Sequence, residues 1–391
     1  MLDEGTIDIK TSQGEAYWNP HRHADGGISM IARPDDDVLD VHRVMPGYAP
    51  TPLVSLPGLA KRLGLGQIQV KDESKRFGLN AFKSLGTMYA VFRALKSEWE
   101  QRFDSIYEPI HMLEKGSQEK LKGMTLCAAT AGNHGRALAW VAKQCGLPSR
   151  IFIPIGTAPF RIACIEGDGA IVTQVDGDYD DAVRHAEREA EVNGWHLIAD
   201  FATPGYIDIP NWIESGYATI IHEITQLLDE ENEKTPQLVV LQGGGGCFAA
   251  GIVKAIRHGW ADQPYIVVVE PKETPSFLTS ARTAKGDLSV ALGSHETICS
   301  CLNCPTPSVS SWDTLRVSVD AFISIDDDSI MKAMRRFAKP QDDDEVIISG
   351  SAGAAGLAGL SMVAIQEEMK PLFRKLDLDP LIRVLLINTE G

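Results

Sequence analysis

Short apolar runs alternate along most of the chain with amphipathic stretches of about 10–15 residues. The runs Met124–Ala129, Leu238–Leu241 and Tyr265–Glu270 have the length and apolar content of buried strands. Each is followed by a turn or loop, and Phe248–His258, after Leu238–Leu241, has helical spacing. Repeated strand–turn–helix units form mainly parallel sheets flanked by helices. The pattern therefore predicts an α/β fold.

The same periodicities predict further elements and a division into two domains. The other predicted strands are Gln67–Lys71, Ile151–Ile155, Ala170–Val175, His196–Ala199, Ala321–Ile325 and Ile382–Ile387. The other predicted helices are one from Lys83 through Met88–Leu95, then Arg136–Cys145, Phe160–Glu166, Asp178–Val192, Gly205–Asp229, Asp327–Ala338 and Ala354–Glu367. Residues 1–45 are rich in turn formers and charges and are expected to wrap a domain. The sequence suggests a smaller domain over residues 85–200 and a larger one formed by residues 1–84 and 201–391.

The composition of the chain indicates what kind of molecule the protein binds. The chain has 391 residues, of which 44% are hydrophobic and 23% charged, as in ordinary globular proteins. Its 53 acidic and 37 basic residues give a formal net charge of −16, which argues against a nucleic-acid or anionic-membrane surface. No apolar run approaches the ~18 residues of a membrane span. We therefore expect a small-molecule substrate.

The N-terminus and the cysteines indicate the cellular compartment of the protein. The first ten residues, MLDEGTIDIK, are acidic and lack an apolar core, so they resemble neither a secretory signal nor a basic transit peptide. Seven cysteines, an odd number scattered along the chain, are typical of reduced thiols. Both features predict a cytoplasmic protein.

The first candidate for chemistry is Lys83, in the stretch KDESKRFGLNAFKSLG. A glycine-containing loop leads directly into the predicted helix, so Lys83 lies near a helix start. The positive end of the helix dipole and the apolar neighbours Phe82 and Leu85 disfavour a charged amine there. A neutral amine can attack an aldehyde, and pyridoxal phosphate is the usual aldehyde in proteins. The alternative is an ordinary solvated lysine.

Four glycines form a second candidate site between a predicted strand and a predicted helix. Gly243, Gly244, Gly245 and Gly246 follow Leu238–Leu241 and precede Phe248. Backbone N–H groups of such a turn can converge on an anion at a helix start. Neither a Walker ending nor a dinucleotide fingerprint is present, which favours another phosphate-bearing cofactor. The alternative is a tight turn that allows close packing of helix on sheet.

The turn TAGNHG follows another predicted strand end. Its Asn133 side chain can donate a hydrogen bond to a phenolic or carboxylate oxygen, and the backbone N–H groups can hold a carboxylate. A helix N-cap is the alternative interpretation.

Taken together and in this order, these three stretches resemble the fold-type II pyridoxal-phosphate enzymes, the tryptophan-synthase β-like group. Within that group the chain is most similar to the diaminopropionate ammonia-lyases. The closer resemblance is carried by VKDESKRFGLNAFKSLG, GNHGRALAW, GYIDIPNWIESGY, VVEP, the stretch Trp312–Arg316, SGSAGAAG and the terminal NTEG. It spans about Tyr48 to Gly391 and implies a pyridoxal-phosphate-binding larger domain and a homodimer.

The resemblance also implies roles for single residues. Lys83 matches the Schiff-base lysine, and the glycine loop matches the phosphate loop. Asn133 matches the asparagine beside the 3′-oxygen of the cofactor, and Thr389 matches the hydroxyl residue at the pyridine nitrogen. A neutral hydroxyl at that nitrogen favours β-elimination over transamination.

Two aspartates, one for each substrate enantiomer, are expected in diaminopropionate ammonia-lyases. Asp200 matches the one that acts on the L-isomer, whereas Ala131 stands where the family has the other. Without the resemblance, Asp200 would be interpreted as a turn or cap residue. A second departure is Ser351, where the family has Glu. We therefore predict α,β-elimination on a small β-substituted amino acid, 2,3-diaminopropionate to pyruvate and ammonia, with preference for the L-isomer.

Two other functions stay open at this point. One is another pyridoxal-phosphate-dependent β-elimination or β-replacement in a biosynthetic pathway, and the other is a degenerate, non-catalytic family member, suggested by Ala131 and Ser351. A zinc site could be considered at His295, Cys299, Cys301 and Cys304. Their spacing fits no common zinc motif, so we expect reduced thiols and no metal.

Overall fold

The computed structural model of the protein describes residues 7–391, which form two compact units. The first unit comprises residues 7–34, 50–75 and 220–391, and the second comprises residues 35–49 and 76–219. Residues 1–6, the first part of the N-terminal segment considered above for targeting, lie outside the described residues. No helix between residues 7 and 391 is long and apolar enough to cross a membrane.

The regular elements alternate along the chain. The strands are β1 Asp8–Lys10, β2 Gly14–Trp18, β3 Leu53–Ser55, β4 Gln67–Asp72, β5 Leu126–Ala129, β6 Ser149–Pro154, β7 Ile171–Val175, β8 His196–Leu197, β9 Leu238–Gln242, β10 Tyr265–Pro271, β11 Ala321–Ile325 and β12 Arg383–Asn388. The α-helices are α1 Val38–Arg43, α2 Pro57–Leu63, α3 Lys83–Arg102, α4 Lys115–Lys120, α5 Asn133–Gln144, α6 Pro159–Asp168, α7 Tyr179–Asn193, α8 Asp208–Gly216, α9 Ala218–Glu230, α10 Cys247–Gly259, α11 Ser276–Ala281, α12 Val309–Ser318, α13 Asp327–Ala338, α14 Ser351–Ile365 and α15 Lys370–Lys375.

The first unit is built on an eight-stranded sheet with the order β1-β2-β11-β10-β9-β12-β4-β3. The five central strands, from β11 to β4, are mutually parallel. The outer strands β1, β2 and β3 pair antiparallel at the two edges. Strand β9 is buried over its whole length, as expected for a parallel strand in a sheet flanked by helices, and α14 packs against β9, β10 and β12.

The second unit is built on a four-stranded sheet with the order β7-β6-β5-β8, and all its pairs are parallel. Strand β5 is central and largely buried, whereas β7 forms an exposed edge. Helix α3 packs against α5 and α8 in the same unit. Residues Leu85–Phe92 of α3 are almost completely buried, since this part of the helix is covered by its neighbours.

The predicted α/β class with mainly parallel sheets is confirmed. The predicted helix over Gly205–Asp229 is two helices, α8 and α9, separated at Tyr217. The predicted strand His196–Ala199 ends earlier, at Leu197. The edge strands β1, β2 and β3 were not among the predicted elements, because they are short and pair antiparallel at the sheet margins. Residues 7–34 contribute β1 and β2 to the first unit.

The boundaries of the second unit are wider than the predicted smaller domain, residues 85–200. Residues 35–49 belong to it because their side chains bond to α3 and α9. Asp37 accepts a hydrogen bond from the Tyr89 hydroxyl at 2.7 Å, and Asp35 pairs with Arg93 at 2.8 Å. His42 Nε2 lies 2.8 Å from the Leu85 carbonyl oxygen. Lys83 therefore lies in the same unit as Asn133 and Asp200.

Candidate active site

Two neighbouring parallel strands of the second unit bring the polar side chains of this site to one sheet edge. Strands β5 and β8 are paired in register, with Cys127 opposite Leu197. Their carboxyl ends therefore lie side by side, and the turn containing Ala131 leaves β5 where the segment containing Asp200 leaves β8. Ligands of parallel sheets bind at such carboxyl ends.

Lys83 and Asp200 are in direct contact in this unit. Lys83 is the first residue of α3, and its Nζ atom donates a hydrogen bond to Asp200 Oδ2. Their side chains are 25% and 23% exposed, so solvent can reach both. Burial acts to raise the pKa of Asp200, but the Lys83 ammonium and His134 outweigh it and hold this pKa below its usual range. Asp200 is therefore ionised at neutral pH and able to accept a proton.

His134 joins the same cluster, although no sequence pattern distinguishes it from an ordinary turn residue. Its Nδ1 atom lies 3.9 Å from Asp200 Oδ2 and 3.2 Å from Thr87 Oγ1. Its Nε2 atom lies 2.6 Å from the Ile198 carbonyl oxygen. The one available signal was its position in the GNHG motif, directly after Asn133. Its contact with Asp200 depends on the pairing of β5 with β8, which the sequence does not reveal.

Asn133 begins α5, and Ala131 lies in the turn before it. Both are partly exposed, so this turn can face a ligand. The turn is tight: Thr130 Oγ1 accepts a hydrogen bond from Gly132 N at 3.3 Å, and a Cβ at Gly135 would lie 2.9 Å from the Thr130 carbonyl oxygen. Ala131 carries only a methyl group, so this side chain offers no proton acceptor.

In the first unit, the four-glycine loop connects β9 to α10. Strand β9 lies between β10 and β12, so the chain leaves it at a point where the strand order changes direction, a usual ligand-binding position. Gly244 and Gly246 have φ of +63° and +102°, which favour glycine. A Cβ at Gly246 would lie 2.6 Å from Phe277 and 2.7 Å from Ser311. The loop thus holds its backbone at the start of a 13-residue helix, which suits a phosphate.

Glu270 lies buried behind this loop, at the end of β10. A Cβ at Gly243 would lie 2.8 Å from its Cγ atom. The carboxylate accepts hydrogen bonds from the backbone N–H groups of Phe277 and Leu278, both at 2.9 Å, at the start of α11. Burial, opposed by these bonds, raises the pKa of Glu270 to about 7.

Thr389 directly follows β12, the strand next to β9, and is buried. It therefore lies at the same sheet edge as the glycine loop. The preceding Asn388 is held by bonds from its Nδ2 atom to Asp72 Oδ1 at 2.8 Å and to the Ile348 carbonyl oxygen at 2.9 Å. These bonds fix the backbone that carries Thr389.

The two remaining sequence features have separate environments. Ser351 begins α14 and donates to the Ile298 carbonyl oxygen at 3.1 Å, while Glu390 Oε1 accepts from Ala352 N at 3.3 Å. In the segment considered for zinc, Cys299 is buried and Cys301 is exposed, with its thiol 3.6 Å from Glu390 Oε2. Within residues 7–391, no group of three or more His, Cys, Asp or Glu could hold a metal ion.

Comparison with known proteins adds to this geometry. The sequence model of the family described as "Pyridoxal-phosphate dependent enzyme" matches residues 44–372. The diaminopropionate ammonia-lyase of Salmonella typhimurium is 40% identical over 358 residues, which cover 91% of this chain and 88% of that protein.

Solved structures of a diaminopropionate ammonia-lyase are similar to this chain in fold. The diaminopropionate ammonia-lyase of Escherichia coli, in complex with an aminoacrylate-PLP azomethine reaction intermediate, has a TM-score of 0.83 and 33% identity and covers 98% of this chain and 95% of its own. The same enzyme in complex with D-serine has a TM-score of 0.80, with 33% identity and coverage of 99% and 93%.

Proposed function

The chain belongs to the pyridoxal-phosphate dependent enzyme family, and we propose that it eliminates ammonia from 2,3-diaminopropionate, with preference for the L-isomer. The products are pyruvate and two molecules of ammonia, one from the β-carbon and one from hydrolysis. The lyases among its relatives support the substrate. The observation that carries the assignment of residues is the contact between the Lys83 amine and the Asp200 carboxylate.

The residues present fit pyridoxal phosphate. When bound, this cofactor supplies an aldehyde that bonds an amine and a ring that accepts electrons from Cα. We assign Lys83 to the aldehyde and the loop Gly243–Gly246 to the phosphate; a Cβ at Gly243 or Gly246 would lie within 3 Å of a neighbouring side chain. Asn133 is assigned to the 3′-oxygen and Thr389 to the ring nitrogen. These four assignments follow the resemblance residue by residue.

Proton transfer is the task of Asp200 and Lys83. Asp200 is ionised and partly exposed, so it can accept the Cα proton of a bound amino acid. Lys83 touches the same carboxylate, so it is the second group able to hold this proton once its amine is released. The departing β-amine needs a proton to leave as ammonia, and this pair can supply one.

The preference for the L-isomer rests on Ala131. The matching position of the family has an aspartate that serves the D-isomer, and a methyl group cannot take a proton. Asp200 is therefore the base for one enantiomer only.

The proposal includes a homodimer and a cytoplasmic location. The dimer follows from the family resemblance alone. The location is supported by the seven cysteines of the sequence, an odd number scattered along the chain, which is typical of a protein from a reducing compartment. Sedimentation analysis of the purified, cofactor-loaded protein tests the first of these.

The decisive experiment measures pyruvate release from L- and D-2,3-diaminopropionate by the cofactor-loaded protein. We expect release from the L-isomer, a decrease of about 10²- to 10⁴-fold in Asp200→Asn, and loss of activity in Lys83→Ala. Asp181→Asn is the matched control, since Asp181 pairs with Arg184 on α7. Comparable turnover of both isomers would contradict the L preference, and no release from either would contradict the substrate. A replacement product formed with added sulfide would indicate a β-replacement enzyme.

A further inference from the structure

The buried side chain of His134 connects three parts of the second unit. It is 4% exposed and lies between Thr87 of α3, the Ile198 carbonyl after β8, and Asp200. Thr87 lies one helical turn after Lys83, and its hydroxyl also lies 2.9 Å from the Lys83 carbonyl oxygen. The helix that carries the lysine is therefore linked through Thr87 and His134 to the carboxylate that the lysine touches.

The hydrogen-bond partners fix the proton on one side of the imidazole ring. A carbonyl oxygen can only accept, so the Nε2 atom of His134, 2.6 Å from the Ile198 carbonyl, carries a hydrogen. The Nδ1 atom then either accepts from the Thr87 hydroxyl or, in the charged ring, donates toward Thr87 and Asp200. In both states the ring edge facing Asp200 is held in place.

Among residues 7–391, the titratable or charged groups that face Asp200 are Lys83, His134 and Tyr206. The Tyr206 hydroxyl is already engaged, since it donates to the Leu197 carbonyl at 2.8 Å and accepts from Ala199 N at 2.9 Å. If pyridoxal phosphate were bound through the Lys83 amine, this amine would no longer present an ammonium to Asp200. His134 would then be the basic group left beside the carboxylate.

We infer that His134, held by Thr87, is a positioning residue that orients the Asp200 carboxylate and stabilises its charge while the Lys83 amine is engaged by the cofactor. The inference rests on the proposed function, in which Asp200 is the base. It assigns a task to His134 and Thr87 that neither the resemblance nor the motifs supplied.

The test compares His134→Gln, Thr87→Val and Thr87→Ser in the cofactor-loaded enzyme. Glutamine can still reach the Ile198 carbonyl but has no polar atom at the Nδ1 position, and valine removes the hydroxyl. We expect kcat for L-2,3-diaminopropionate to fall about tenfold or more in His134→Gln, with a smaller effect on KM. The acidic limb of the pH profile of kcat/KM should move to higher pH, because the pKa of the Asp200 carboxylate rises when it loses His134 as a partner. Thr87→Val should shift it in the same direction, and Thr87→Ser should restore it.

A second measurement does not depend on turnover. The visible absorption of the bound cofactor, recorded against pH without substrate, should change its midpoint in His134→Gln and Thr87→Val but not in Thr87→Ser. His42→Gln is the matched control, because His42 also lies between a threonine hydroxyl, that of Thr219 at 2.6 Å, and a backbone carbonyl. It is expected to lower stability without moving either pH profile.

The outcomes separate the inference from the proposed function. If Asp200→Asn abolishes elimination but both pH profiles of His134→Gln match those of the native enzyme, the inference is wrong and Asp200 is still the base. If Asp200→Asn turns over the L-isomer at the native rate, the assignment of Asp200 itself is wrong. If Thr87→Ser behaves like Thr87→Val, the hydroxyl is not what holds His134.

Discussion

At the scale of single residues, our proposal makes the choice between enantiomers depend on the residues at two adjacent strand ends. Asp200 follows β8 and is held ionised by Lys83, whereas Ala131 follows β5 and carries a methyl group. Both positions are partly exposed at the same edge of the small sheet. A carboxylate at position 131 would therefore supply the acceptor that this turn lacks.

We predict that Ala131→Asp gains elimination of the D-isomer. A general base contributes about 10²- to 10⁴-fold, so the ratio of D- to L-turnover should rise by at least about tenfold, allowing for imperfect placement. Pyruvate release from each enantiomer measures this ratio. Ala131→Asn is the control, because asparagine has nearly the same shape as aspartate and cannot act as a base. A D-to-L ratio in Ala131→Asp equal to that of Ala131→Asn would contradict the prediction.

The residues of the site differ in how far the sequence predicted them. Lys83 and the glycine loop stand beside turn and helix signals that can be read locally. Asp200 and Thr389 carry no local signal and were assigned by resemblance. The contact of Lys83 with Asp200, and the whole role of His134, depend on which strands are neighbours in the sheet, and periodicity does not encode strand order.

At the scale of elements, the position of the first turn of α3 depends on a close crossing with α8. A Cβ at Gly216 would lie 2.7 Å from Gly86 Cα and 2.8 Å from the Leu85 carbonyl oxygen. A Cβ at Gly86 would in turn lie 2.7 Å from the Ile213 carbonyl oxygen. The two helices thus meet backbone to backbone, one turn beyond Lys83.

We predict that Gly216→Ala destabilises the protein and lowers activity. The added methyl group meets backbone atoms that cannot rotate away, so the free energy of unfolding should fall by about 1–3 kcal/mol. Since α3 must shift, kcat should fall as well. Denaturant unfolding and pyruvate release measure the two effects.

Gly167→Ala is the matched control for this change. Gly167 lies within α6, and a Cβ there meets no atom of the described residues within 4 Å. Alanine favours a helix over glycine, so this variant should be as stable as the native chain or about 0.5–1 kcal/mol more stable. Equal behaviour of the two variants would show that the crossing is not tightly packed.

The elements also show where sequence patterns are insufficient. The apolar run through α8 and α9 is periodic, so it predicted one helix, and the break at Tyr217 was not foreseen. That break follows Gly216, whose small size the crossing requires. The edge strands β1 and β2 are short and partly exposed, which leaves them without the apolar pattern of buried strands.

At the scale of the whole molecule, the sheet of the first unit buries charges that no sequence pattern distinguishes from surface charges. The Lys71 ammonium and the Glu223 carboxylate are completely buried and 2.6 Å apart, although they are far apart in the sequence. Lys71 also donates to the Thr51 carbonyl at 2.6 Å. The parallel core was predictable because its strands are apolar, but partners for buried charges are set by the tertiary fold.

The burial of the Glu270 carboxyl makes the stability of the protein depend on pH. This carboxyl is 1% exposed, and burial raises its pKa from 4.5 to about 7. Between these values the folded protein binds the proton more strongly than the unfolded chain, so its contribution to stability is complete below about pH 4.5 and is lost as pH rises to about 7. The change corresponds to about 3 kcal/mol. Glu270→Gln removes the titrating group.

We therefore predict that the stability advantage of the native chain over Glu270→Gln shrinks by about 3 kcal/mol between pH 4.5 and pH 7.5. Denaturant unfolding at fixed protein and cofactor concentration measures this difference. Glu273→Gln is a control of opposite sign: hydrogen bonds from Ser294 lower the pKa of Glu273, so its contribution is lost as pH falls. If the stability difference between the native chain and Glu270→Gln does not vary with pH, the buried carboxyl stays in one protonation state throughout. The proton would then have no part in the packing behind the glycine loop.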